Sequence, residues 1–252
     1  MVLVYYLFSK ENKGQFMEYF NTDITVDIHD VDYNGVARTS ALMKYIQSAA
    51  QTQLTESGMS YDKLKERKRA FILSKIKMEF TETVRAYEPL CAISFPCNSR
   101  GFSFLRCYKL LRDGITIGRA ASVWALIDTD THSLIRVNDF DLGLETFDPL
   151  DLSLTRIVMP KDMEKVGTYS VNYGDTDQNM HMNNTKYPDL YSNFLPLADK
   201  RIEEITINYA NEAPFGDTLD VFRAQENGFF YFRTVRSDGK TNTEAEIKLA
   251  DI

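Results

Sequence analysis

Two stretches of this chain alternate apolar and polar side chains with period two. Ile76, Met78 and Phe80 fall on one face with Lys75, Lys77 and Glu79 opposite; 129 residues later Ile205, Ile207 and Tyr209 alternate with Glu204, Thr206 and Asn208. That alternation predicts half-buried β-strands. Upstream of the first stretch, Leu42, Tyr45, Ile46, Ala49, Ala50 and Leu54 recur at helical spacing, and Gly58 is placed to end the helix they predict. Thr39 and Ser40 are its expected N-caps, and Asn183 and Asn184 are expected to start a corresponding helix in the second half. Short strand-like runs precede both, at 24–28 and 168–173. Further strands are expected at 90–98, 102–112 and 115–127, with Asp113-Gly114 as hairpin turn, and again at 218–224, 229–236 and 240–249 around Asp238-Gly239.

The chain therefore describes the same unit twice. Asp30, Asp32 and Asn34 in the first half return as Asp175, Asp177 and Asn179, 145 residues later, and the offset shrinks to 125 at the second pair of turns. Agreement of order, turn dipeptide and strand phase favours duplication over coincidence. A long helix lying across a curved antiparallel sheet is the hotdog unit. The expected fold is α+β, a tandem hotdog, with units at 1–141 and 164–252 and a connector rich in Asp, Leu and Pro at 142–163.

Composition narrows the possibilities. With 252 residues, 44% of them hydrophobic, the chain can bury one sizeable core or two modest ones, which excludes wholesale disorder and a disulfide-stapled miniprotein. The longest apolar run, 2–8, is too short to span a bilayer, and Ser9-Lys10-Glu11 follows where a leader would have a small-residue cleavage site. The reading is a cytoplasmic protein without membrane insertion. Three cysteines (Cys91, Cys97, Cys107) and three scattered histidines make no metal-ligand pattern, so no metal or other cofactor is expected. The net charge of −7 argues against nucleic acid as partner.

The second copy carries the chemistry. It reads Asp177-Gln-Asn179-Met-His181-Met-Asn183-Asn184, followed by Tyr187. This D-x-N-x-H-x-N-N run resembles the signature of the acyl-acyl carrier protein (acyl-ACP) thioesterases, which end fatty-acid synthesis by hydrolysing the acyl thioester. The resemblance extends from Tyr19 to the C-terminus. It implies a tandem hotdog, the first-half D-x-D-x-N-G run before the long helix, and a carboxylate about thirty residues past the histidine, where Glu212 stands. It places the family's motif residues on Asp177, Asn179, His181 and Glu212, and implies an acyl carrier protein as partner. Two positions depart from the family: Ala213 stands where a cysteine often follows the glutamate, which disfavours a thiol nucleophile, and Pro188 occupies the first helical turn.

Thioester hydrolysis needs a base for water, a donor for the developing oxyanion and a proton for the thiolate. Asp177 or Glu212 can orient or deprotonate water, His181 can shuttle a proton, and Asn179 can position the thioester or the water; the sequence does not divide base duty between the carboxylates. The first copy lacks the set, with Val36, Arg38 and Thr83 where His181, Asn183 and Glu212 fall. One active site per chain follows, with an acyl tunnel expected in the first half from Met43, Ile46, Ile76, Met78, Phe95 and Phe104. These are also ordinary core residues, as are Trp124 and the tyrosines of the last strands.

Between 61 and 77, seven basic residues face Asp62 and Glu66. Lys63, Lys65, Arg67, Lys68 and Arg69 form a candidate docking surface for the acidic carrier, and a solvated loop is the plain alternative. Three other functions compete. A hotdog hydratase would show D-x-N-P-x-H, which the spacing here disfavours. An acyl-CoA thioesterase is opposed only weakly, since CoA phosphates also attract lysine and arginine. A non-catalytic acyl-binding module is opposed by the intact four-residue set. Chain length is not legible, and a homodimer stays open because the duplication already completes the usual pair of units.

Overall fold

The computed structural model describes residues 7–9 and 17–252. The apolar run 2–8 lies outside them except for its last two positions. The strands are β1 (Leu7–Ser9), β2 (Met17–Thr25), β3 (Arg69–Phe80), β4 (Pro89–Pro96), β5 (Ser103–Arg112), β6 (Ile115–Asp128), β7 (Leu134–Ile135), β8 (Glu164–Ser170), β9 (Lys200–Tyr209), β10 (Thr218–Glu226), β11 (Phe229–Val235) and β12 (Thr241–Asp251). The helices are α1 (Thr39–Glu56), α2 (Tyr61–Glu66) and α3 (Tyr187–Ser192).

The sheet runs β1-β2-β4-β5-β6-β3-β9-β12-β11-β10-β8, with β7 beside β6. From the β3–β9 seam outward the two arms match strand for strand as far as β2 and β8, with β1 an extra edge strand of the first half, so both halves share one antiparallel sheet. At the seam Ile76 faces Ile207 and Met78 faces Ile205, all four fully buried, in the phase the alternation predicts. On the opposite face Lys77 reaches Glu204 (2.8 Å) and Glu79 (3.2 Å).

Helix α1 presses Leu42, Met43, Ile46, Ala49 and Ala50 into the core, and Gly58, at φ +79°, follows its end as expected. Its start differs from expectation. Arg38 is the N-cap residue and makes no side-chain cap; Ser40 Oγ instead donates to Asp189 Oδ1 (2.5 Å), tying α1 to α3. The strand-like runs also lie earlier than read. Asp27 accepts from the His29 N–H (2.8 Å) and ends β2 in a 3-10 turn, which leaves Ile28 exposed. The exchange between Asn172 and Asp175 does the same after β8.

The second unit does not have a long helix. Asn183 caps a 3-10 turn over Asn184–Lys186, and α3 then runs for 6 residues with Pro188 in its first turn. Pro196 lies shortly beyond, where a helix cannot easily continue. Hairpin chemistry is split as well. Asp113-Gly114 and Asn227-Gly228 both take positive φ at each residue, as two-residue turns with right-handed twist require, whereas at 238–239 only Gly239 does. The connector is not loose: Phe147 packs on Tyr19 and Phe95 with ring centroids 4.7 and 5.8 Å away, and Leu152 is buried beside them. It covers the face of the first sheet that α1 does not.

Among the described residues no helix is long and apolar enough to cross a membrane.

Candidate active site

The repeated D-x-N run is a loop built the same way twice. In the second half the Asp177 N–H donates to the His181 carbonyl (2.9 Å), the Met180 N–H to the Asp177 carbonyl (3.0 Å), and the Asn179 N–H to Asp177 Oδ1 (2.8 Å). In the first half Asp32, Asn34, Gly35 and Val36 make the equivalent bonds. The position before the last residue is left-handed in both, Gly35 at φ +71° and Met180 at φ +63°. The aspartate is thus required by the loop itself. What separates the halves is the residue the loop presents, Val36 in one and His181 in the other.

His181 pairs with Pro214 in an antiparallel bridge, and the Met182 N–H donates to the Ala213 carbonyl (2.8 Å). That pairing sets Glu212 beside the loop, with His181 Nδ1 3.3 Å from Glu212 Oε2, both side chains partly exposed. The turn bearing Glu212 is held by residues the sequence reading missed. Asn242, fully buried on β12, donates from Nδ2 to the Asn211 carbonyl and to Tyr187 Oη (3.0 Å). Arg236 donates from Nη1 to the Glu212 carbonyl (3.0 Å) and from Nε to Asp217 Oδ2 (3.2 Å). Burial opposes the charge on Asp217, but bonds from Ser237, the Thr218 N–H and Arg236 prevail and hold its carboxyl below the usual carboxylate range. Burial likewise pushes the Tyr187 hydroxyl well up, so it stays protonated. These partners lie 19 to 31 residues apart or more in sequence, and no local pattern could announce them.

A cavity of about 910 Å³ opens beside this loop. Asn179, Thr176 and Asn183 border it from the second half; Gln47, Leu54, Phe71 and Trp124 are among its first-half walls, with Phe140 and Leu144 from the segment leading into the connector. The loop and the first half meet at Tyr61, whose hydroxyl donates to Asn179 Oδ1 (3.2 Å). Of the six tunnel candidates only Phe104 lines the cavity. Met43, Ile46, Ile76 and Met78 are sealed in the main core, and Phe95 points to the opposite face, against Phe147. Period two cannot tell these apart in β4, where both faces are covered and residues 92–96 are all buried. Trp124, left to the core by the sequence reading, lines the cavity.

The basic segment is a short helix and turn at the same opening, not a plain loop. Lys63 pairs with Glu66 (2.8 Å), Lys68 with Asp130 (3.4 Å) and Arg69 with Asp128. Asp128 is held at about 2 by hydrogen bonds from Thr131 first, with Asp130 and Arg69 adding to them. Lys75 is turned inward, donating to the Leu154 (3.4 Å) and Thr155 (3.0 Å) carbonyls. Lys65 and Arg67 are the exposed cations of the segment with no acidic partner among the described residues. Cys91, Cys97 and Cys107 are free thiols around the connector-side cluster, and burial raises the pKa of Cys91. Among the described residues no group of three or more His, Cys, Asp or Glu is placed to hold a metal ion.

Two hotdog units sharing one sheet, with His181 and Glu212 paired on a loop that borders the cavity through Asn179 rather than through the pair itself, define the tandem hotdog class. The acyl-ACP thioesterase N-terminal domain matches residues 17–141 and the acyl-ACP thioesterase C-terminal domain residues 159–251. The chain belongs to the acyl-ACP thioesterase family, and its reaction is hydrolysis of acyl-ACP thioesters. Solved structures share the fold. An acyl-ACP thioesterase from Bacteroides thetaiotaomicron superposes with TM-score 0.84 at 21% identity, covering 91% of this chain and 97% of that one. A 12:0-ACP thioesterase from Umbellularia californica does so with TM-score 0.81 at 14% identity, covering 93% and 98%. In direct sequence comparison no curated protein matches significantly.

Proposed function

We propose that this enzyme ends acyl-chain synthesis in the cytoplasm by hydrolysing carrier-bound thioesters with His181 and Glu212 as its proton-transfer pair, Asn179 as its polarising amide and Asp177 as the builder of their loop. The observation that carries this reading is the 3.3 Å contact of His181 Nδ1 with Glu212 Oε2, beside the cavity that Asn179 borders. A carboxylate at Nδ1 favours the tautomer with its proton there and leaves Nε2 to accept one. Water attacks the thioester carbonyl carbon while Nε2 takes its proton. The carbonyl oxygen gains charge, stabilised by the Asn179 amide. The C–S bond then breaks, the histidine returns the proton to the sulfur of the carrier's prosthetic arm, and free acid and free thiol leave.

Tyr61 supports the assignment to Asn179. Its hydroxyl binds Oδ1, which leaves the NH₂ end as the group available to a carbonyl oxygen. In this reading the first half, 1–141, supplies the acyl cavity and carrier surface, the connector 142–163 seals the outer face of its sheet, and 164–252 supplies the chemistry. Lys65 and Arg67, uncommitted to any carboxylate, are the core of the docking surface, with Lys63, Lys68 and Arg69 around them.

The test is steady-state hydrolysis of acyl-ACP by the wild type, His181→Ala and Glu212→Gln, with the free acid identified. Loss of a proton-transfer group lowers kcat by about 10²-fold or more. A folded His181→Ala variant of full activity would remove histidine from the mechanism.

A further inference from the structure

One buried cation in the cavity wall has no charged counterpart. Arg106 stands on β5 between Phe104 and Tyr108, in the inward phase of the strand, lines the cavity and keeps only 7% of its surface exposed. Its side-chain bonds both leave Nη1, one to Ser94 Oγ (2.7 Å) and one to Gln53 Oε1 (2.5 Å), and both acceptors are neutral. Nε and Nη2 carry three further N–H groups and meet no acceptor among the described residues. The contrast with Arg236, which has Asp217 and Asp238, is plain.

An alkyl chain gains nothing from such a wall. A buried guanidinium is costly unless an acceptor compensates it, and leucine or methionine at this position would suit a methylene chain better. Burial lowers the Arg106 pKa, yet a guanidinium starts so high that it stays charged. Ser94 and Gln53 hold one nitrogen and so fix the plane of the group, leaving the Nε–Nη2 edge, a fork of parallel N–H donors, for an oxygen ligand.

We propose that Arg106 recognises an oxygen on the acyl chain itself, so that the preferred substrates are thioesters whose chain carries a hydroxyl, oxo or carboxylate group in addition to the thioester. This rests on the reading of the cavity as the acyl site.

The experiment uses the full chain and a set of C12 carrier thioesters: plain, monohydroxylated at successive positions, and carboxylated at the end. Wild-type kcat/KM should peak at one substituent position, about 10-fold or more above the plain chain, the span of one charge-assisted hydrogen bond. Arg106→Leu should abolish the peak and raise the rate on the plain chain, and Arg106→Lys should keep part of it. A stronger response to the carboxylate than to hydroxyl at the same position would identify an anionic ligand, and the reverse a neutral one. A flat wild-type profile overturns the proposal, as does a peak that survives in folded Arg106→Leu. Because that variant can fail to fold, calorimetric binding of the plain and hydroxylated free acids to the wild type measures the preference without it; equal affinities overturn the proposal. Failure to hydrolyse any carrier thioester would instead strike the thioesterase reading, and the calorimetry would still decide the ligand.

Discussion

Lys77 on β3 lies opposite Thr206 on β9, and Thr206 is its own counterpart in the duplicated pattern, 129 positions on. A pseudo-twofold axis therefore passes through this pair. Ile76 meets Ile207 and Met78 meets Ile205, each the counterpart of the other's neighbour. The loop of the second half that bears His181 consequently reaches the segment after α1 at Tyr61, as the first-half loop reaches the segment after α3 through Asn34 Nδ2 and the Leu197 carbonyl (3.0 Å). One such junction holds a histidine and the other a valine.

Since the seam is buried and continuous, the halves should unfold together. Met78→Ala or Ile205→Ala should each cost about 2–5 kcal/mol, the range for truncating a buried aliphatic side chain. Trp124, the single tryptophan, reports on the first half, while circular dichroism follows both. Coincident denaturation curves from the two probes are expected; separate transitions would show two independent domains.

Much of this architecture was legible because it rests on local periodicity. The seam strands, α1 and the Asp113-Gly114 turn follow from alternation, helical spacing and φ preference within a few residues of chain. The loop of the candidate site was legible for a similar reason, since Asp177, Asn179 and His181 lie in one short run. The cavity was not. Whether Phe95 or Phe104 faces it depends on which side of a doubly covered strand the connector occupies, and no period records that. The short α3 was hidden because Asn183 and Asn184 announce a helix start but not the 3-10 turn that consumes it. Arg106 is buried because Ser94 on β4 and Gln53 on α1 close over it, which no local pattern in the sequence announces.

The duplicated loop makes a sharp prediction for Asp177. Its Oδ1 accepts the Asn179 N–H just as Asp32 accepts the Asn34 N–H, in a loop that carries Val36 where this one carries His181. Asp177→Asn keeps a carbonyl acceptor and should retain kcat within about 10-fold, whereas Asp177→Ala frees the loop and should lose about 10²-fold. If the asparagine variant is as dead as the alanine one while folded, the carboxylate charge itself is needed, and Asp177 shares the base role.

Asp217 links acidity to the turn that bears Glu212. Its carboxyl is held below the ordinary carboxylate value, so the stabilisation it provides is complete above about pH 4 and is lost as pH falls through its lower folded-state pKa. Asp217→Asn should weaken the protein at neutral pH and make its stability less steep in acid, as measured by urea unfolding at pH 7 and pH 3. Because Arg236 joins Asp217 to the Glu212 carbonyl, the same variant should lower kcat more than it raises KM. An unchanged acid limb would show that Asp217 does not carry this linkage.

The docking surface can be tested without touching structural ion pairs, because Lys65 and Arg67 are exposed cations that no carboxylate holds, whereas reversal at Lys68 or Arg69 would also break the Asp130 or Asp128 contact. Charges on such a surface steer an acidic carrier over a range that salt cuts to about 8 Å at physiological ionic strength. Lys65→Glu with Arg67→Glu should raise KM for acyl-ACP several-fold at low salt, flatten its salt dependence and leave kcat near its original value. A short acyl-pantetheine thioester needs the cavity and the His181–Glu212 pair but no carrier contact, so its hydrolysis should change little. Equal losses on both substrates would point to damage at Tyr61, four residues before Lys65 on the same helix and bonded to Asn179. No loss on either would leave these two cations as solvent-facing residues and move the carrier's landing site to another part of the first half.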